Sequence, residues 1–224
     1  MIYIEPTKRG IGVKIWGTFG DLNTLYEVIG KFWGNEQSFD QEGFESRDKV
    51  ISIFSYDIRK AQEGLRLKKK AGNSFFEEGP YFGTQISWVE FLFSLTALKY
   101  NMRFKETNKL DISVILQLEY WLEKAMYAYD EIGAKELVGF IDGGIYGANK
   151  YLYFYMRSIH LDFLLLDGGK RSFRRLPSLL KRGTFYTDAY EEYEVFLKKE
   201  AERLNCDIHN MEIDDNDIDY DVKW

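Results

Sequence analysis

The alternation of apolar and polar residues near the start of the chain predicts a β-hairpin followed by a helix. Two short runs of strand-forming residues, 2–5 and 11–16, flank a turn segment that contains proline and glycine. In the second run, alternate residues share a face, which is the period of a strand. From Asp21 onward the apolar residues fall on one helical face. We therefore expect Asp21 to cap the first helix.

Helical periodicity continues through most of the chain. Ser46 is the expected cap of a second helix, whose apolar spacing leads into the basic run 68–70, at the end where cations favour the helix dipole. The later predicted elements are a hairpin over 74–79 and 81–86, a helix from Asp111 to about residue 130, a short helix or strand over 135–141, a helix over 150–167, a single turn at Pro177 and a last helix from Thr187.

The helix that begins after Ser87 is predicted to be the centre of the fold. Ser87 and Glu90 have the spacing of a capping box. The residues that follow are apolar on nearly every side, so other elements must surround this helix. The predicted fold class is therefore α+β: a mainly helical single domain over 1–224, built around this helix, with a small antiparallel sheet from two hairpins.

The acidic end of the chain is expected to return to this sheet as a strand. From residue 206 onward there are seven acids and one lysine, which account for the whole formal net charge of −6. A disordered acidic tail is the alternative. Over 217–224, however, aspartates and one lysine alternate with Ile218, Tyr220, Val222 and Trp224. Strict alternation with β-branched and aromatic residues is typical of a half-buried strand.

Composition limits the protein class. Of 224 residues, 45% are apolar and 29% are charged, which excludes wholesale disorder. No apolar run approaches the roughly 18 residues of a membrane span, and no secretory signal is visible. The single cysteine, Cys206, fits a reducing compartment, so we expect a cytoplasmic protein with no membrane partner. The 38 aromatic residues serve either as core or as binding surface.

Two motifs resemble those of an uncharacterised bacterial protein family of unknown function. The first, within 17–30, reads Asp-Leu-x-x-Leu-Tyr, and the second, within 55–64, reads Tyr-Asp-Ile-Arg-x-Ala-x-x-Gly. Members of that family begin with a similar hairpin and these two helices, so the resemblance covers about the first hundred residues. It implies a bacterial, intracellular origin and brings no assigned activity with it.

Motifs for catalysis or metal binding are absent. There is no Gly-x-Ser-x-Gly motif, and only two histidines could serve as a base, so no catalytic residue is predicted. Cys206 and His209 are spaced like a ligand pair but have only carboxylates nearby, and the aspartates of 215–221 lack the glycine and glutamate of a calcium loop. The turn 142–147 lacks the phosphate-binding lysine. We expect no metal and no cofactor.

One helix face is the predicted ligand-binding site. Tyr153, Arg157 and His160, together with Leu164, recur at helical spacing beside the apolar stripe of helix 150–167. A ring, a fixed cation and an imidazole on one face could bind an anionic or aromatic ligand. The alternative is the edge of the core with a hydrogen-bonded histidine. Arg59 and Glu63, four residues apart, are expected to form an ordinary surface pair.

The segment between residues 168 and 187 is basic and contains no acid. Its first four cations, Lys170, Arg171, Arg174 and Arg175, are the candidate site for an anion or a partner, followed by Lys181 and Arg182. A solvated basic loop, docked against an acidic partner or against the acidic tail, is the preferred interpretation. Nucleic acid is not the expected partner, because few aromatic residues lie nearby and the body of the chain is neutral.

Three functions remain open at this level. The first is a non-catalytic binding or protein-interaction module, whose partner is another protein or a second copy of the chain. The second is a small-ligand enzyme that uses the face of His160, and the third is a nucleic-acid-associated factor. A polar pocket at His160 would favour a small ligand, whereas a flat apolar patch would favour a protein partner.

Overall fold

The structure is a computed structural model, which describes residues 1–34, 41–70, 80–211 and 222–224. Its strands are β1 (Tyr3–Pro6), β2 (Gly12–Gly17), β3 (Leu67–Lys69) and β4 (Tyr81–Ser87). Its helices are α1 (Phe19–Gly30), α2 (Phe44–Gln62), α3 (Trp88–Asn101), α4 (Lys109–Tyr129), α5 (Glu131–Gly139), α6 (Leu152–Leu164), α7 (Gly169–Leu180) and α8 (Asp188–Leu204). Among the described residues, no helix has both the length and the apolar character needed to cross a membrane.

The four strands form one antiparallel sheet in the order β1-β2-β4-β3. The first hairpin is confirmed, with Ile4 opposite Ile15. Its turn needs a glycine at position 10, where φ is +67° and an added Cβ would lie 2.0 Å from the ring of Tyr129. Trp88 Nε1 donates to the carbonyl of Gly10 at 2.9 Å, which ties this turn to the start of α3.

The outer strand of the sheet corrects one prediction. The basic run 68–70 was expected at the end of a helix, but α2 ends at Gln62 and β3 begins at Leu67. Gly64 has a φ of +69°, and the amides of Gly64 and Leu65 donate to the carbonyls of Ala61 and Lys60. This pattern is a Schellman motif, which stops the helix. The predicted strand 81–86 is confirmed in β4, whereas its predicted partner, 74–79, lies outside the described residues.

Helix α3 is the buried centre of the molecule, as predicted. Its apolar residues are at most 1% exposed over nearly three turns: Trp88, Val89, Phe91, Leu92, Phe93, Leu95, Ala97 and Leu98. Helices α2, α4 and α6 and the strands β2 and β4 pack around it. Phe91, for example, stacks on Phe54 of α2 with 5.5 Å between ring centroids. The mainly helical α+β fold class is confirmed.

Three predicted helix caps are wrong by three residues. Thr18 caps α1, and Asn108 caps α4; in each case the aspartate at the third helical position completes a capping box. Asp21 and Asp111, which were expected to be the caps, are these third-position residues. Ser46 lies inside the first turn of α2, after the cap Gly43, and its hydroxyl accepts a hydrogen bond from the Tyr153 amide at 2.8 Å.

The basic segment after residue 168 forms a helix and not a loop. Pro177 was expected to open a single turn, but it lies inside the twelve-residue helix α7. Phe173, Leu176 and Leu180 on one face of α7 are completely buried. Their burial offsets the backbone hydrogen bond that proline removes. The other late elements follow the prediction: α5 covers most of 135–141, α6 lies within 150–167, and Thr187 caps α8.

The predicted C-terminal strand falls mainly on residues 217–221, which lie outside those described. Residues 222–224 are described, and they pair with no strand in the described part of the chain. Val222 and Trp224 are partly buried, whereas Lys223 is exposed. The strand stays a prediction, and the alternation of burial over these three residues follows the predicted pattern.

Candidate functional site

A cleft with polar walls lies where helices α2, α3 and α6 meet strand β4. Its volume is about 530 Å³, which is in the range of small-molecule sites. The described residues that line it include two carboxylates, two guanidinium groups and one imidazole. The lining residues are Asp57, Arg66, Leu67, Thr84, Gln85, Glu90, Arg157, His160, Leu164, Val222 and Trp224. We refer to it as the Glu90–His160 cleft.

Glu90 is held in the cleft by the capping box that begins α3. Its amide donates to the Ser87 hydroxyl at 3.0 Å, and that hydroxyl donates to Oε2 of Glu90 at 3.0 Å. Capping therefore uses one carboxylate oxygen. The other oxygen, Oε1, lies 3.1 Å from Nδ1 of His160. One side chain thus both starts the central helix and presents an oxygen to an imidazole.

His160 reaches this position because its neighbours on α6 fill the core. Tyr155, Ile159 and Phe163 are completely buried, which fixes the rotation of the helix. The side chain of His160 is only 9% exposed. Its Nδ1 makes no hydrogen bond of good geometry within the described residues, although it lies at ion-pair distance from Glu90. A buried polar atom that is incompletely satisfied is uncommon in native proteins and is a marker of functional sites.

The environment of Glu90 favours its charged form. Burial by itself would raise the pKa of Glu90, but the neighbouring His160 and the hydrogen bonds from Ser87 outweigh it. The net result is that the pKa of Glu90 lies below its usual range. Glu90 is therefore set to remain a carboxylate in the folded protein.

Asp57 is the second carboxylate of the cleft, and its environment acts in the opposite direction. Burial raises the pKa of Asp57, and the charge of Glu90 raises it further. Arg66, whose Nη2 lies 2.9 Å from Oδ1 of Asp57, lowers it in part. The environments of the two carboxylates in the cleft therefore shift their pKa values in opposite directions.

The structure brings together part of the predicted ligand-binding face. Arg157, His160 and Leu164 all line the cleft. Arg157 has an interaction partner of its own, so its charge does not stand alone. Tyr153 is not among the lining residues, and its ring packs edge-on against Phe154 with 5.7 Å between centroids.

Three charged residues of the cleft were not among the predicted site residues. Asp57 belongs to the Tyr-Asp-Ile-Arg motif, where only the neighbouring Arg59 and Glu63 were considered. Glu90 was identified only as a member of the capping box. Arg66 lies in the turn between α2 and β3. The motif around Asp57 is the one signal that could have directed attention to this carboxylate before the fold was known.

Two of the four cations in the candidate basic site contact a carboxylate of the protein itself. Arg174 makes a bidentate contact with Asp130, at 2.8 and 2.7 Å, and Lys170 lies 3.8 Å from the same carboxylate. Hydrogen bonding from Arg174 is the main cause that lowers the pKa of Asp130 to about 2. Arg171 and Arg175 are exposed on α7. Binding of an anion or a partner at this helix stays a prediction.

Arg182, in the second part of the basic segment, also contacts other side chains of the protein. Lys181 is exposed, whereas Arg182 is partly buried. Arg182 lies 2.8 Å from Asp162, and its guanidinium stacks over the ring of Tyr193 at 5.3 Å. Half of the six cations in this segment thus have a described carboxylate within 4 Å, and such pairing reduces the charge that is free to attract an anion.

The remaining predicted candidates are a surface ion pair, a free thiol and a histidine next to a tyrosine ring. Arg59 lies 4.0 Å from Glu63, and both are well exposed, as expected for a surface pair. Cys206 is a free, partly buried thiol. The ring of His209 lies 5.3 Å from that of Tyr151.

In the described ranges, no group of three or more His, Cys, Asp or Glu side chains is placed to hold a metal ion. The aspartates of 215–221 lie outside these ranges. The absence of metal and cofactor stays a prediction.

The glycine-rich turn 142–147 forms one wall of a second cavity, also of about 530 Å³. Its cations already have partners. Lys99 contacts Glu119 and donates to the carbonyl of Ile141 at 2.9 Å, and Arg103 lies over the ring of Tyr100 at 5.1 Å. Asp142 is the one carboxylate among the described residues that line this cavity, so it does not combine two carboxylates as the Glu90–His160 cleft does.

Comparison with known families agrees with the resemblance seen in the first two helices. The family model described as a domain of unknown function, DUF6904, matches residues 2–224. The chain belongs to this family. The DUF6904 match covers almost the entire chain, including every described residue of the cleft, and it carries no assigned chemistry. No curated protein and no solved structure matches the chain. The bacterial origin that the resemblance implies stays a prediction.

Proposed function

We propose that this protein binds a small polar molecule in the Glu90–His160 cleft. The observation that carries the proposal is a buried imidazole 3.1 Å from a partly buried carboxylate, at the wall of a cleft of about 530 Å³. A buried ion pair is a poor stabilising device, because the cost of desolvation often exceeds the attraction between the charges. Concave sites with a few convergent polar groups of shifted pKa are the usual places of ligand binding.

The walls of the cleft define the kind of ligand. Asp57 and Glu90 accept hydrogen bonds, Arg66 and Arg157 donate them, and Thr84 and Gln85 can do either. The apolar surface comes from side chains such as Leu67 and Leu164. These groups match a compact molecule that has both an anionic or carbonyl group and a cationic or amide group, rather than an apolar ligand.

Binding can be tested with a library of small polar molecules and ligand-observed NMR. Molecules that bind the wild type should bind at least about tenfold more weakly to Glu90→Gln and to His160→Gln, because each change leaves a buried polar partner unsatisfied. Glu63→Gln and His209→Gln are matched controls outside the cleft and should bind as the wild type does. The proposal fails if no compound binds, or if binding is equal in all four variants.

The same cleft supports an acid–base reaction as an extension of binding. Of the two carboxylates, Glu90 has the lowered pKa and would receive a proton from the substrate, and Asp57 has the raised pKa and would return one from its protonated form. This arrangement corresponds to the small-ligand enzyme considered from the sequence. A substrate found by the binding screen should then be converted by the wild type and not by Asp57→Asn.

A protein-interaction function is the second candidate, and an exposed apolar stripe favours it. Ile112, Leu116 and Tyr120 recur every four residues on α4 and are 46%, 56% and 54% exposed. Such spacing lines one face of a helix, and contiguous apolar surface is typical of interfaces. Sedimentation should show self-association that Leu116→Lys abolishes and that the control Leu165→Lys, at another exposed leucine, does not. A monomeric wild type would remove the stripe as a self-association surface.

A further inference from the structure

The second cavity lies apart from the Glu90–His160 cleft. Its walls come from the glycine-rich turn 142–147, from the end of α3 and from the segment between α7 and α8. Its volume of about 530 Å³ is in the range of small-molecule sites. The described residues that line it are all different from those that line the cleft. The cavity is therefore a separate place where a ligand can bind.

Among the described residues, positive charge prevails around the second cavity. Lys99 is paired with Glu119, so these two charges balance each other. Arg103 and Asp142 are one exposed cation and one exposed carboxylate in the lining. The side chain of Arg47, which lies behind the wall, adds a further positive charge.

Arg47 is completely buried directly behind this wall. Its guanidinium lies over the ring of Tyr100 at 4.4 Å and donates to the carbonyl of Gly147 at 3.2 Å, and both residues line the cavity. Its other described acceptors, the amide oxygen of Asn101 and the carbonyl of Glu42, are neutral. A buried charge is costly when no opposite charge accompanies it. An anion in the cavity would supply such a charge.

Aromatic rings form another part of the wall. Tyr146 and Phe185 line the cavity and stack on each other, with 4.3 Å between ring centroids and 16° between planes. Tyr186 extends this stack to the surface. Its ring centroid lies 3.9 Å from that of Phe185, and the residue is 82% exposed. These three residues form a stack that a further planar ring can join.

The backbone of Tyr186 is strained. Its φ is +62°, in the left-handed region that bulky residues rarely adopt and that glycine adopts without cost. A ring that is 82% exposed gains little from burial in return. Strained residues of this kind cluster at ligand-binding sites, where the surrounding structure holds a side chain ready for its partner.

From these observations we propose that the second cavity binds a planar aromatic anion. The ring of the ligand stacks on the group formed by Tyr146, Phe185 and Tyr186, and its anionic group pairs with Arg103. Arg103 lies over the ring of Tyr100 at 5.1 Å, a contact that uses the face of the guanidinium and leaves its N–H donors at the edge. The proposal adds a second ligand class and does not depend on the Glu90–His160 cleft.

The test compares three aromatic acids with their neutral analogues in ligand-observed NMR titrations: naphthoate with naphthamide, indoleacetate with indoleacetamide, and adenylate with adenosine. At least one acid should bind the wild type at least about tenfold more tightly than its neutral analogue, because charge-assisted hydrogen bonds are the stronger ones. Arg103→Gln should remove this difference. Arg175→Gln, at an exposed arginine of α7, is the matched control and should preserve it.

A second variant tests the strained ring. Tyr186→Gly should weaken binding of the same acid at least about threefold, because a stacking surface is lost. It should keep at least the wild-type melting temperature, because glycine adopts the left-handed conformation without strain. Tyr120→Ala, which removes a ring that is 54% exposed on α4, is the control and should leave the affinity unchanged.

The proposal is overturned if no acid of the panel binds, if the neutral analogues bind as tightly as the acids, or if Arg103→Gln binds the acids as the wild type does. It is also overturned if binding of the acids is lost in Glu90→Gln and kept in Arg103→Gln, because the acids then occupy the Glu90–His160 cleft. Failure of the proposed function has a different signature. In that case the acids still bind in a way that depends on Arg103, but no small polar molecule binds in a way that depends on Glu90.

Discussion

Helix α3 contains two regions that are chemically opposite. Its body, from Phe91 to Leu98, is packed with apolar side chains that are at most 1% exposed. Its first turn holds the carboxylate of Glu90, a Ser87 hydroxyl that caps the helix, and the imidazole of His160 from α6. The body contacts other elements on all sides, whereas the first turn borders a cleft.

The difference between the two regions separates stability from chemistry. Apolar burial stabilises the fold in proportion to the area removed from water, and it does so at every pH. A buried carboxylate–imidazole pair depends on protonation and gains little over an apolar pair of the same shape. The body of α3 therefore explains why the protein folds, and the proposed ligand binding would account for the charges of the first turn.

Removing apolar volume from the body should have the largest effect. Leu95→Ala is expected to lower the free energy of unfolding by about 2–5 kcal/mol, because the buried site cannot collapse around the cavity. Chemical denaturation measures the loss. The control Leu165→Ala, at a leucine that is 72% exposed, should change stability by less than about 0.5 kcal/mol. A loss below about 1 kcal/mol at Leu95 would contradict the assignment of α3 as the centre of the core.

Neutralising Glu90 in the first turn should lower the free energy of unfolding less than Leu95→Ala does. It should also weaken ligand binding. Glu90→Gln keeps the shape of the side chain but weakens its contacts with His160 and Ser87, so we expect a loss of about 1–2 kcal/mol at neutral pH. Ligand binding should fall in the same variant. If Glu90→Gln were as destabilising as Leu95→Ala, the pair would be part of the structural core and the contrast between the two regions would disappear.

A second carboxylate that caps a helix sharpens the contrast. Asp130 caps α5, its side chain is 4% exposed, and Arg174 binds it from α7. Arg174→Ala should lower the free energy of unfolding less than Glu90→Gln does, because Arg174 is partly exposed and Asp130 keeps its bond from the Gly133 amide. Arg175→Ala, at the exposed neighbour, should be close to neutral. Neither change should alter ligand binding; an effect of Arg174→Ala on binding would place α7 within the functional site.

The smallest effect is a pH dependence of opposite sign at the two carboxylates of the cleft. The pKa of Glu90 is lowered from 4.5, so its contribution to stability is full above that value and is lost as the pH falls through the folded-state pKa. The pKa of Asp57 is raised from 3.8, so its contribution is present below that value and is lost as the pH rises through the folded-state pKa.

Urea denaturation across the acidic range tests these signs. As the pH falls, the stability of the wild type relative to Glu90→Gln should decrease, and its stability relative to Asp57→Asn should increase. If both differences changed in the same direction, the two carboxylates would not have pKa values moved apart, and the acid–base assignment would be wrong.

Local patterns in the sequence were sufficient for much of the fold and insufficient at several boundaries. The capping box of Ser87 and Glu90 was recognisable because both partners lie within one turn. The caps of α1 and α4 were misplaced by three residues, because the cap and its partner are both polar and either can be taken for the first. The end of α2 is set by the left-handed conformation of Gly64. Helix α7 is stabilised by the burial of Phe173, whereas Pro177 led to the expectation of a single turn.

The sequence by itself determined the mainly helical α+β class, the central place of α3 and the family resemblance, because periodicity, composition and short motifs are local properties. Only the tertiary structure could decide the site. Asp57, Glu90 and His160 lie on three different helices, and the distance in sequence from the first to the last is about one hundred residues. Their convergence follows from how the helices pack, and no local pattern encodes a contact between residues that far apart.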